Sequence, residues 1–254
     1  MNFNFLNKNT TASCVLVAFL LLFSSCANSQ DNEELPIVNS TRVINFSGYE
    51  WVVRTSDEGK EGPGPNYFSD SEENVWVDEE GRLHLKVVER NGNWYCSGVI
   101  LRQSYGFKKY IFYVSSRVDN LDQNIVGGLF THITDDQEID IEFSRWSDPE
   151  NQNSQFAVQP SFKAGNKVRY DLNLDDNLST HFFDWKPESI EFASYKGHTR
   201  TPEADAIVNT WTYTGEDVPP HTDERLKINL WLFRGASPAN GTGGEMIIDR
   251  VEIY

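Results

Sequence analysis

The chain has 254 residues, 38 of them acidic and 22 basic, for a formal net charge of −16. That balance excludes nucleic acid and anionic membrane surfaces as charge-driven partners and suits a soluble, extracytoplasmic body. The length accommodates one large β domain, or one domain behind a short leader. Aromatic residues make up 13% of the chain, a surplus that serves either a large sandwich core or the stacking of sugar rings.

In chain order, residues 15–23 (VLVAFLLLF) form an apolar run behind a polar segment containing Lys8. The run is too short to anchor in a bilayer and reads as the core of a signal peptide. It ends in Phe23-Ser24-Ser25-Cys26, small residues before a cysteine, which resembles a bacterial lipoprotein processing site with Cys26 as the lipidated residue. Ordinary cleavage after Ala27 is the competing reading. Residues 1–26 are therefore assigned to the leader, 27–40 to an acidic flexible tether and 41–254 to the folded domain. The expected address is the outer membrane or cell surface through a lipid anchor, otherwise the periplasm or the medium, with the protein a monomer. Cys14 leaves with the leader and Cys26 takes lipid, so Cys96 stands alone and no intramolecular disulfide is expected.

From Arg42 onward the sequence turns to short alternating runs broken by turn residues. Residues 43–54 include Trp51, Val52 and Val53, and a Gly/Pro-rich loop follows at 62–68. Residues 75–77 and 83–87 form a hairpin across Asp78-Glu79-Glu80-Gly81, with Gly81 at the position that needs φ > 0. Further strands are predicted at 93–101, 109–114, 127–132, 138–143, 155–158, 167–172, 181–185, 189–195, 225–233 and 245–254. No amphipathic helix of three turns is legible after residue 40. Many short strands at this spacing and length predict an all-β fold, a large sandwich of two antiparallel sheets.

One strand is unusual. In Glu138-Ile139-Asp140-Ile141-Glu142-Phe143 a period of two places the apolar residues on one face and three carboxylates on the other. Neighbouring carboxylates have Cα atoms about 6.6 Å apart at a rise of roughly 3.3 Å per residue. At an effective dielectric of about 20 each charged pair repels by roughly 2.5 kcal/mol. One use for such crowding is to separate the pKa values of carboxyls that act as acid and nucleophile. Extended Glu138 and Glu142 side chains leaning together bring their carboxyls to about 5–6 Å, nearer the roughly 5–5.5 Å of retaining glycosidases than the 6.5–9.5 Å of inverting ones. The plainer alternative is an edge strand with a solvated acidic face.

Glu-Ile-Asp-Ile-Glu-Phe resembles the catalytic strand of glycoside hydrolase family 16, in the form without an extra residue before the last Glu. Other segments follow in the family's order. Tyr105-Gly106-Phe107 resembles its Tyr-Gly element, and Leu129-Phe130-Thr131-His132 the lead-in to the catalytic strand. The stretch 181–190 resembles its His…Asp-Trp-x-Pro segment, Ile228-Asn229-Leu230-Trp231 its Asn-Leu-Trp strand and 248–254 its closing strand. The resemblance covers nearly all of 42–254 and implies a β-jelly-roll, concanavalin A-like, with a glycan cleft on the concave sheet. It further implies a retaining endo-acting glycosidase on a β-linked polysaccharide, with Glu138 as nucleophile, Asp140 as its helper and Glu142 as acid/base. Arg102, Phe130, His132, Asn229 and Trp231 occupy places where the family touches sugar. No cofactor is required for catalysis, and Gly81 and Asp249 match the places of a structural Ca²⁺. A silent glycan-binding protein on the same fold and a transglycosylase are the alternatives.

The chain also departs from the family. Asp136-Gln137 stands where Trp-Asp is expected, Ala157 and Gln159 replace an Asn and an aromatic, and the hairpin after Ile190 reads Tyr195-Lys196-Gly197. Trp146 is a candidate local substitute for the missing aromatic. These changes spare the acids and remodel the subsites, so mixed-linkage glucan does not carry over as the substrate.

Overall fold

The structure, a computed structural model, describes residues 42–56 and 59–254. The leader, Cys26 and the tether lie outside the described residues. Eight strands make up the first half: β1 (Val43–Phe46), β2 (Tyr49–Val53), β3 (Tyr67–Phe68), β4 (Val75–Val77), β5 (Leu83–Arg90), β6 (Asn93–Leu101), β7 (Lys109–Val114) and β8 (Ile125–Thr134). Eight more complete it: β9 (Gln137–Phe143), β10 (Ser154–Val158), β11 (Lys167–Tyr170), β12 (Ser179–Lys186), β13 (Ser189–Lys196), β14 (Ile207–Tyr213), β15 (Arg225–Leu232) and β16 (Gly244–Ile253). Helical structure among the described residues is limited to three short 3₁₀ turns.

The strands form the two layers of a jelly-roll. The first runs β11-β10-β9-β8-β15-β6-β2-β1, and the second β4-β5-β16-β7-β12-β13-β14. The layers are continuous through the β5–β6 hairpin, whose arms pair Val88 with Tyr95 and Arg90 with Asn93. Its turn is Asn91-Gly92, both at positive φ, the backbone that a tight twisted hairpin demands. Pairing is antiparallel throughout, apart from the parallel two-residue contact of β3 with β6.

Alternation decides which face of the first layer is buried. Ile139, Ile141 and Phe143 of β9, Phe156 and Val158 of β10, and Ile228 and Leu230 of β15 all point into the space between the layers. There the Phe156 ring stacks on Phe192 at 5.2 Å, and Phe143 meets His181 edge-on at 4.7 Å. His181 is buried but partnered on both nitrogens, by Ser194 at 2.6 Å and Ser179 at 2.9 Å. The acidic strand is thus pinned from beneath by aromatic packing onto β12 and β13.

The structure adds three details to the expected strands. Residues 43–54 hold two strands, because Ser47 and Gly48 both take positive φ and fold β1 onto β2. A short strand, β3, lies at the end of the Gly/Pro-rich loop. The strand β14 has no counterpart in the sequence reading. It pairs with β13 at the sheet edge and has no clean burial alternation.

Candidate active site

The register of the first layer sets the outward-facing residues into rows, because directly paired residues on neighbouring strands share a face. Glu142 lies between Gly128 of β8 and Gln155 of β10, and the row continues to Asn229 and Gly98 on one side and Arg169 on the other. Asp140 lies between Phe130 and Ala157, in a row reaching Lys227 and Ile100 on one side and Lys167 on the other. Glu138 pairs with His132, and His132 with Arg225. The pairing from Gly127↔Phe143 to His132↔Glu138 is regular, so no bulge disturbs the spacing of the three acids.

Each acid has its own partners. Gln155 Nε2 donates to Glu142 Oε2 at 2.5 Å, and Gln159 Nε2 donates to Asp140 Oδ2 at 3.0 Å. Asp140 is 2% exposed and hydrogen-bonds Glu138. Burial, followed by the negative charge of Glu138, holds the Asp140 carboxyl well above its ordinary range. Burial pushes Glu138 up to about 7, opposed by the hydrogen bond from Asp140 and reinforced by the charge of Glu142. Burial pushes Glu142 up to about 8, with Asp140 adding to the rise and the Gln155 hydrogen bond opposing it. The hydrogen bond between Asp140 and Glu138 ties the two carboxyls together, so they titrate as a pair.

The walls carry cations. Lys227 Nζ donates to His132 Nδ1 at 3.0 Å, which leaves the His132 proton on Nε2, 3.6 Å from carboxylate oxygens of Glu138 and Asp135. Burial and the Lys227 charge push the His132 pKa down, so the ring is neutral at pH 7. Burial lowers Lys227 to about 8, still charged at neutral pH. Asn229 is 1% exposed, and both atoms of its amide lack a partner among the described residues. Gly98 makes room for it, since a Cβ there would lie 2.3 Å from Asn229 Oδ1.

The expected sugar-contact residues fall in different places. Phe130, His132, Asn229 and Trp231 lie on the same outward face as the acids. Trp146 lies three residues past the end of β9, at φ 47, with the Arg169 guanidinium 4.1 Å over its ring. Arg102 is exposed, ion-paired to Glu50 at 3.0 Å and lies just past the end of β6, a strand three positions or about 14 Å from β9. Gln155, Gln159, Lys227 and Arg169 were missed by sequence reasoning. Counting period two outward from Gln155 finds Gln159, but only pairing shows which acid each glutamine meets.

Gly81 takes positive φ in the β4–β5 turn, as its place in the hairpin requires. Asp249 lies at a bulge in β16, and its Oδ2 is 2.8 Å from Arg250 Nη1. Among the described residues no three His, Cys, Asp or Glu side chains gather around a common point.

No protein-family model and no curated protein matches the sequence. Solved structures do match. A β-glucanase of Bacillus licheniformis superposes with a TM-score of 0.59 at 20% identity, over 84% of this chain and 97% of that one. A family 16 glycosyl hydrolase protein from Mycobacterium smegmatis gives 0.62 at 13% identity, over 85% and 100%. A Mycobacterium tuberculosis protein described as an immunostimulatory antigen and pseudo β-1,3-glucanase gives 0.57 at 16%, over 80% and 90%. The acidic strand is therefore carried on the β-jelly-roll fold of the family 16 glycoside hydrolases.

Proposed function

We propose that the protein is a retaining, endo-acting glycoside hydrolase that cleaves a β-linked polysaccharide by double displacement. The observation that carries this reading is the register that sets Glu138, Asp140 and Glu142 on one outward face of β9 with no bulge between them. Near pH 7 Glu142 holds its proton and can give it to the leaving glycosidic oxygen. Glu138, favoured by the hydrogen bond from Asp140 and the Lys227 charge, supplies the carboxylate that attacks the anomeric carbon. Once Glu138 is esterified its charge is gone, and the ionised form of Glu142 becomes easier to reach. Glu142 can then take a proton from the water that resolves the intermediate. Asp140 hydrogen-bonds Glu138 and positions it.

Glu138→Gln is expected to abolish release of new reducing ends from a panel of β-glucans, galactans and xyloglucan, with the thermal unfolding transition preserved. Wild-type turnover in that variant would sink the assignment. A silent glycan-binding protein is the second reading, favoured by the pseudo-glucanase among the structural relatives. It predicts binding without product for the wild type on every glycan that it retains. Transglycosylation uses the same three residues and differs only in the acceptor, so analysis of product lengths distinguishes it. Export and lipid attachment at Cys26 belong to the same reading, and a diacylglyceryl-modified N-terminal peptide seen by mass spectrometry is the expected mark.

A further inference from the structure

We propose that the β10–β11 hairpin forms a subsite for an acidic sugar, so that the polysaccharide taken by the cleft carries sulfate or carboxylate groups. The inference rests on the hydrolase reading of the acids and adds the chemical class of the substrate. Several Lys and Arg side chains among the described residues, Lys60, Lys86 and Lys227 included, have no carboxylate within ion-pairing distance, and Lys167 and Arg169 are the two of them on β11. The Lys167 side chain makes no hydrogen bond among the described residues, and Arg169 meets the amide of Gln155 and the ring of Trp146.

Both cations stand on the outward face of β11, about 6.6 Å apart along the strand. They lie in the rows of Asp140 and Glu142 respectively. Two strands, or about 9.6 Å, separate them from β9. That is the distance of a neighbouring sugar, not of the bond being cut. Between Lys167 and Asp140 stands the small side chain of Ala157, itself buried. By this register both cations share the outward face of the acids, and their charges oppose the rise of the Glu142 pKa. At the tip of the same hairpin Phe162 is 87% exposed, an aromatic surface that core packing does not use and that a pyranose ring can stack on. A neutral glucan offers these two cations no counter-charge. A polyanion, repelled by the net charge of −16, requires such a local attraction. Because β11 ends its sheet, the cations could instead serve only to discourage edge pairing, and a binding experiment separates the two roles.

The full chain carrying Glu138→Gln, which removes turnover, is titrated with a sulfated β-galactan, its desulfated counterpart and a β-linked polyglucuronate. At least one polyanion is expected to bind about tenfold more tightly than the neutral chain in about 20 mM salt, with the preference shrinking near 300 mM. Adding Lys167→Gln should remove most of that preference and Lys167→Arg should keep it, while Phe162→Ala should weaken neutral and charged chains alike. Preference for the galactan alone identifies a sulfate ester, preference for the uronate alone a carboxylate, and preference for both a site for either anion. Equal binding of charged and neutral chains overturns the proposal, as does a preference that survives Lys167→Gln. If the wild type hydrolyses nothing while the preference and its loss are observed, the subsite stands and the hydrolase reading falls.

Discussion

Glu142 shows how much of the chemistry is decided by what a single side chain touches. It takes a hydrogen bond from Gln155, while burial and the neighbouring Asp140 carboxyl raise it to about 8. Glu138 ionises near 7. The reaction needs Glu138 ionised and Glu142 protonated, so kcat/KM should rise as pH passes about 7 and fall beyond about 8. A profile with its only limb near pH 4.5 would refute the assigned roles. The same shifts carry a stability cost with a definite sign. Both folded pKa values are raised above the unfolded values, so folding favours the protonated forms, and that contribution is lost as pH rises through 7 and 8. Glu142→Gln should therefore stabilise the fold at pH 8.5 by on the order of 2 kcal/mol, with the gain vanishing towards pH 4.5, as read from denaturant midpoints. The acids themselves were legible because their period of two has no structural use. Gln155 and Gln159 were not, because each matters through a partner on another strand.

At the level of the strand, β9 works because its two faces are held to different tasks. Ile139, Ile141 and Phe143 are fully buried, and Phe143 reaches across to His181 in the opposite layer. Truncating such a ring removes the anchor beneath Glu142, so Phe143→Ala should cost about 3–5 kcal/mol in urea unfolding. Its turnover per folded molecule should fall as well. A loss under about 1 kcal/mol would show that the strand is held some other way. Strands of this kind announce themselves by alternating burial. The strand β14 does not, because at a sheet edge Ile207 is left exposed and Trp211 only half-buried, so neither face reads as apolar. The break between β1 and β2 was hidden for a different reason. Ser47 takes positive φ there, a conformation that its sequence does not advertise.

Across the whole molecule, stability rests on the joined layers, since the one cysteine among the described residues is unpaired. Cys96 is fully buried on β6, the strand through which the two sheets are continuous. Burial pushes its thiol up to about 12, so almost no thiolate exists in the native state at pH 8. Local fraying cannot easily expose it, because β6 pairs with β2, β5 and β15, and opening it means parting both layers. In a chain with Cys14 and Cys26 replaced by Ser, alkylation of Cys96 should follow the same denaturant transition as loss of tryptophan fluorescence. The midpoint should be the same with and without reductant. Labelling that runs ahead of the fluorescence change would mean that the layers separate at the β5–β6 seam before the core is lost. The sandwich would then be two cooperative units, and the cleft layer with its three acids could open while the other layer stays folded.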